Sequence, residues 1–291
     1  MSAWILARRN LRIFFRDRAG VFFSLLSSLI LIGLYALFLG GLQVDNLSGR
    51  FMNASTGEIQ AFVDAWVFAG ITMITTLTTG LAALSVFVED SASGRFKDFL
   101  VSPIRRSSII FGYMISSFIV AVVMTSVVVI VSQLYTIIRG NPAMTPSSLL
   151  LTAGYMVIAA AAFSAVSGFV VTFLTSNSAF AALSTIVGTI IGFLAGAYIP
   201  AGTLPVAVVN VMNALPFAQA AMLLRQPFTD EAARVLTNGN ATAEATLNSF
   251  YGIAISVGDI EVSNGFALAE LAVILVVFAA LSALRLAKRI R

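Results

Sequence analysis

The side chains that could do chemistry in this sequence are few, and their types and spacing close more routes than they open. Histidine and cysteine are absent, which removes thiol nucleophiles, Cys/His metal sites and imidazole acid–base catalysis together. A phosphate-binding loop needs Gly-Lys-Ser/Thr, yet the lysines are Lys97, preceded by Phe96, and Lys288, preceded by Ala287. The chain therefore cannot by itself be a P-loop ATPase. Two carboxylates, Asp64 and Glu270, fall near the edges of apolar runs. An ionisable group within a membrane span is a functional candidate by default. Glu270 is thus the candidate for a gating or substrate role, although so near the end of its run it can also be satisfied by water or a partner.

The densest polar stretch is Glu89 to Arg106, EDSASGRFKDFLVSPIRR, set between two long apolar runs. Ser91 or Ser93 can cap a helix start, and Phe96, Phe99 and Leu100 fall on one helical face. Pro103 stops the helix and pushes Ser102 into an extended conformation. Arg95, Lys97, Arg105 and Arg106 ring the apolar face. The pattern predicts an amphipathic helix of about two turns outside the membrane, tied to a span at each end.

Composition says what holds that stretch in place. With 59% hydrophobic and only 10% charged residues in 291, against roughly 25% charged in a soluble domain, the chain reads as one all-α integral membrane domain. Apolar runs predict spans at about Val21–Leu42, Val63–Val88, Ile109–Ile138, Leu149–Leu174, Ala179–Ile199 and Phe266–Leu284. Ahead of them, residues 3–18 read as an interfacial amphipathic helix. Trp4, Ala7, Leu11, Phe14 and Phe15 share its apolar face, and Arg9, Arg12 and Arg16 lie to one side, toward anionic lipid. Both ends of the sequence are rich in arginine; the positive-inside rule puts both in the cytoplasm and requires an even number of spans. Residues 200–225, broken by Pro200, Pro205 and Pro216, must then enter and return as a re-entrant hairpin. Residues 226–264 follow as an external loop. In the fifth span Gly188, Gly192 and Gly196 form G-x-x-x-G-x-x-x-G, which lets another helix backbone approach closely, from this chain or from another subunit. The threonines of Ile71–Gly80 are expected to bond to their own helix.

This arrangement resembles the type-2 ABC exporter permeases. The resemblance rests on the acidic pair Glu89–Asp90, Gly94, the hydrophobic segment Phe96–Val101, Ser102-Pro103, Arg105-Arg106 and the following Gly112. It extends to a later pattern, Gly196-Ala197-Tyr198-Ile199-Pro200, Leu204-Pro205, Leu215-Pro216-Phe217 and Arg225. Two positions depart from the family's usual residues: Arg95 stands where threonine is usual, and Leu215 where asparagine is. The resemblance implies that residues 89–106 form a coupling helix seated on a separate ATP-binding subunit, which would carry ATP and Mg; no cofactor is expected in this chain. It further implies two permease and two ATPase subunits in a bacterial inner membrane, exporting a hydrophobic, drug-like compound. No nucleic-acid partner is expected. Export of a lipid-linked glycan or other lipid is the alternative within the family, and an ion-coupled secondary transporter leaning on Glu270 is the alternative outside it.

Overall fold

The computed structural model describes residues 2–52, 54–96 and 106–289, and it is helical almost throughout. Helix α1 (Ser2–Arg16) leads to a segmented run of α2 (Arg18–Ser24), α3 (Leu26–Leu34), a π turn (Tyr35–Leu39) and α4 (Gly40–Ser48). In the π turn the N–H of Gly40 reaches back to the carbonyl of Tyr35. Helix α5 (Thr56–Ala83) starts at a capping box, in which Ser55 accepts from the Glu58 N–H and Glu58 accepts from the Ser55 N–H. After a break at Leu84, α6 (Ser85–Ala92) continues it. Then come α7 (Arg106–Ile138), α8 (Pro146–Val171), capped by Thr145 with proline in the first turn, and α9 (Asn177–Leu194), capped by Ser176. Helices α10 (Val206–Asn213) and α11 (Pro216–Leu236) meet at 85°. A short helix α12 (Ala241–Phe250) and an antiparallel pair of two-residue strands, β1 (Ser256–Val257) and β2 (Ile260–Glu261), precede α13 (Asn264–Arg289).

Five of these segments are long and apolar enough to cross a membrane: α5 with α6, α7, α8, α9 and α13. The bent pair α10–α11 has the composition of a sixth, as a broken span or a re-entrant loop. The region expected to be an external loop from residue 226 onward begins instead as helix, because α11 runs past Arg225 to Leu236 with Pro227 inside it. A folded cap of α12 and the strand pair follows.

Helix α5 is the axis of the bundle. It packs on α7, α8, α9 and α11, and nearly all of its length is buried. Its threonines donate to their own helix, Thr72 to the Phe68 carbonyl, Thr75 to Ile71, Thr76 to Thr72 and Thr79 to Thr75, so that hydroxyls can lie in an apolar core without an orphaned donor. Thr75 also meets Ser28 of α3 at 2.6 Å, and Thr76 meets Thr125 of α7 at 3.2 Å. By contrast α9 and α13 lie at the periphery, with most of their surface outside the bundle.

The glycine series of the fifth span has a different use from the one its spacing suggests. A Cβ on Gly192 would stand 2.1 Å from the ring of Tyr198. The space is filled by a side chain folding back from the same chain, not by a second helix. Gly196, with φ +62°, ends α9. Its N–H bonds to the Phe193 carbonyl and that of Ala197 to Gly192, a Schellman cap that an L side chain would strain. The carbonyl of Gly188 accepts from the Tyr198 hydroxyl at 3.5 Å.

Candidate functional site

At one end of the bundle, where α6 stops, a carboxylate is completely enclosed. Asp90 has no exposed side-chain surface and accepts from Arg9 of α1 at 2.6 and 3.0 Å, from Arg95 at 3.0 Å and from the Tyr113 hydroxyl of α7 at 2.5 Å. The fork of Arg9 meets both carboxylate oxygens, the strongest form of such a bond. That bond holds the Arg9 pKa above its ordinary value. Glu89, half exposed, stands 3.6 Å from Arg95. Thus Glu89 and Asp90, placed by sequence in a solvated loop, belong to the last turns of a helix, and Asp90 faces the interior.

Three elements converge here for local reasons. Helix α1 crosses α7 where Gly112 leaves room: a Cβ at that position would lie 2.7 Å from Leu6 and 3.0 Å from the Ala3 carbonyl. Gly94, at φ +77°, turns the chain after α6 so that Arg95 comes back over Asp90. Phe96 packs against Phe87 and Tyr113, with ring centroids 5.1 and 6.3 Å apart. The expectation that Phe96 serves as an anchor for a partner is therefore corrected, since its ring is held within its own chain. Phe99, Leu100, Ser102, Pro103 and Arg105 lie outside the described residues. Arg106, at the start of α7, donates to the Ala287 carbonyl at the end of α13 at 3.4 Å.

The apolar face expected of the interfacial helix is divided. Phe14 and Ala7 are buried and Leu11 is half-buried, all toward the bundle, whereas Trp4 is 57% and Phe15 42% exposed. A helical wheel shows one stripe; the fold uses half of it for packing on α7 and leaves the other half outward.

The opposite end of the bundle holds the other buried charge. Arg225 of α11 is 2% exposed and has no acidic partner among the described residues. Its guanidinium donates to the carbonyls of Ala195 and Gly196 at 2.7 Å each and of Gly252 at 3.1 Å, and lies 5.4 Å from the ring centre of Trp66. Two of those carbonyls close α9, where the helix dipole is negative. Around it, Trp66 donates to the Tyr251 carbonyl at 2.8 Å, and Tyr35 donates to the carbonyls of Ala197 and Tyr198 at 3.2 and 3.1 Å. Arg225, counted from sequence among the external-loop charges, is instead the centre of a knot joining α5, α9, α11 and the cap. Pro200 and Pro205 flank the short turn Ala201–Thr203, and Pro216 opens α11.

Glu270 lies half-buried near the start of α13, with Gln219 of α11 as its polar neighbour. It belongs to neither buried centre.

A family model described as ABC-2 type transporter matches residues 1–228. The chain belongs to that family. It is the membrane-spanning permease of an ABC transporter, a class that normally works with a separate ATP-binding subunit. Both buried charges of this ABC-2 permease fall within the matched residues, whereas α12, the strand pair and α13 follow them. No curated protein matches the chain. Sequence had indicated Asp90, Gly94, Gly112 and Arg225 as parts of a pattern; the partners Arg9, Tyr113, Trp66 and Tyr35 carry no local signal, because each meets its centre across a long stretch of chain.

Proposed function

We propose that the chain is the permease of an ATP-driven exporter that moves a hydrophobic or amphiphilic compound out of a bacterial cell, across the inner membrane. Six spans, counting the segmented run α2–α4, would leave both termini cytoplasmic, with α10–α11 as a re-entrant element and α12 with the strands as an outer cap. Two such permeases and two ATP-binding subunits would form the working unit, and residues 89–106 would be the coupling segment. ATP and Mg would be held by the partner subunits.

The reading of the cargo is carried by a groove of about 250 Å³ between α5, α8 and α9. Leu77, Leu81, Val170, Ile186, Ile190 and Phe217 line it, and no charged residue does. Such a surface suits the apolar body of an amphiphile. No carboxylate lies among those lining residues, which argues against an ion-coupled mechanism, in which a buried acid commonly sits with the substrate.

The test is reconstitution with the ATP-binding subunit that co-purifies in mild detergent, followed by uptake of a fluorescent amphiphile into inverted vesicles. ATP-dependent uptake, abolished by replacing Phe99 and Leu100 with serine while the chain still inserts, is expected. Uptake driven by an ion gradient, with no ATP-binding partner recovered, would overturn the reading.

A further inference from the structure

The arginines of α1 divide into two sets. Arg9 turns inward to Asp90, whereas Arg8, Arg12 and Arg16 are exposed and make no ion pair among the described residues. At i, i+4 and i+8 these three stack along one face, about 6 Å apart in rise. Arg12 and Arg16, with Ile13 and Asp17, line a cleft of about 340 Å³. The exposed aromatic edge of α1, Trp4 and Phe15, borders the stripe, and Phe22 and Phe23 of α2 are exposed just beyond it. Cations beside aromatic rings at the end of an apolar bundle are complementary to one surface, anionic headgroups above acyl chains.

We infer that anionic phospholipid headgroups occupy the Arg8–Arg12–Arg16 face of α1 and, by fixing its seat, tune the coupling of ATP hydrolysis to transport. The second half of the inference rests on the exporter reading. The connection is short. Arg9, the neighbour of Arg8, is bound to Asp90 by two hydrogen bonds, and Asp90 also holds Arg95, which leads directly into the coupling segment. A shift of α1 along α7 must carry Arg9 with it, so lipid at the outer face and Asp90 at the inner face bias the same helix.

Two measurements separate the parts. In vesicles containing the chain alone, quenching of Trp4 by brominated phosphatidylglycerol is compared with quenching by brominated phosphatidylcholine. Trp66 is 1% exposed and serves as the protected reference. A preference of about tenfold or more for the anionic lipid is expected from three arginines at the surface. It should fall with added salt and disappear in the triple variant Arg8→Gln, Arg12→Gln, Arg16→Gln, but persist in Arg139→Gln. Equal quenching by both lipids in the unaltered chain, or preference kept by the triple variant, would overturn the lipid site. Loss of quenching when the ATP-binding subunit is added would also overturn it, by showing that a protein covers this face.

The assembled transporter is then assayed in phosphatidylcholine vesicles with and without an equal amount of phosphatidylglycerol. Transport per ATP hydrolysed should rise several-fold with the anionic lipid, and the triple variant should stay at the lower level in both. Selective quenching with lipid-independent coupling would refute the regulatory half alone. Selective quenching with no ATPase partner would refute the exporter reading and leave the lipid site standing.

Discussion

The two ends of this permease each bury a charge, and they bury it in opposite ways. Asp90 is an enclosed anion whose cations reach water: the side chains of Arg9 and Arg95 are 32% and 49% exposed. Arg225 is an enclosed cation whose counter-groups are carbonyl dipoles, buried with it. In the first case separation of the partners can be compensated, because the arginines can take up water as they leave. In the second, every displaced carbonyl and the guanidinium itself would be left dry, at a cost of roughly 1–3 kcal/mol for each unsatisfied group. The Asp90 end is built to be rearranged and the Arg225 end to stay closed until something replaces its bonds.

Arg225→Leu should give the largest loss, since three carbonyls lose their donor. We expect several kcal/mol of destabilisation, read by thermal unfolding in detergent from Trp66 fluorescence in a Trp4→Phe background. Stability within about 1 kcal/mol of the parent would show that the knot is dispensable. At the other end, a double-mutant cycle of Asp90→Asn and Arg9→Gln should give a coupling energy of about 1–3 kcal/mol. Arg95→Gln should cost well under half as much, because its partly exposed pair is screened. Equal effects of the two arginines would erase the distinction drawn between them. Gly196→Ala places a side chain at φ +62°, where about 1–2 kcal/mol of backbone strain is expected. Its effect should vanish in the Arg225→Leu background if the cap and the knot form one unit. The smallest effect is expected of Glu270→Gln, which should leave ATP-driven transport near the parent rate; complete loss in a folded variant would make Glu270 a third centre.

The helices were legible from hydropathy, because a span must be apolar over its whole length, and their starts from Ser55, Thr145 and Ser176. What stayed hidden was long-range. Arg9 meets Asp90 across the length of two helices, and nothing near either residue marks the pairing. Arg225 looks like a loop cation between Leu224 and Gln226 until the end of α9 and the Gly252 turn close on it. The Gly188–Gly192–Gly196 spacing signals thin backbone, yet it cannot say whether a helix or the ring of Tyr198 fills the gap. In α1 the helical wheel grouped Trp4, Phe14 and Phe15 correctly as neighbours, but which half of the stripe packs inward depends on Gly112, far along the chain.

The π turn at Tyr35–Leu39 adds a matter of register. Because its hydrogen bond spans one more residue than an α turn, everything after it in α4 is rotated by about 100° relative to an uninterrupted helix. That rotation brings Val44 and Leu47 into the core and Gln43 to 3.1 Å from the Tyr251 hydroxyl. Deleting a single residue within the turn would restore ordinary α geometry and point the wrong face of α4 at the cap, so the length of this segment is as constrained as its composition.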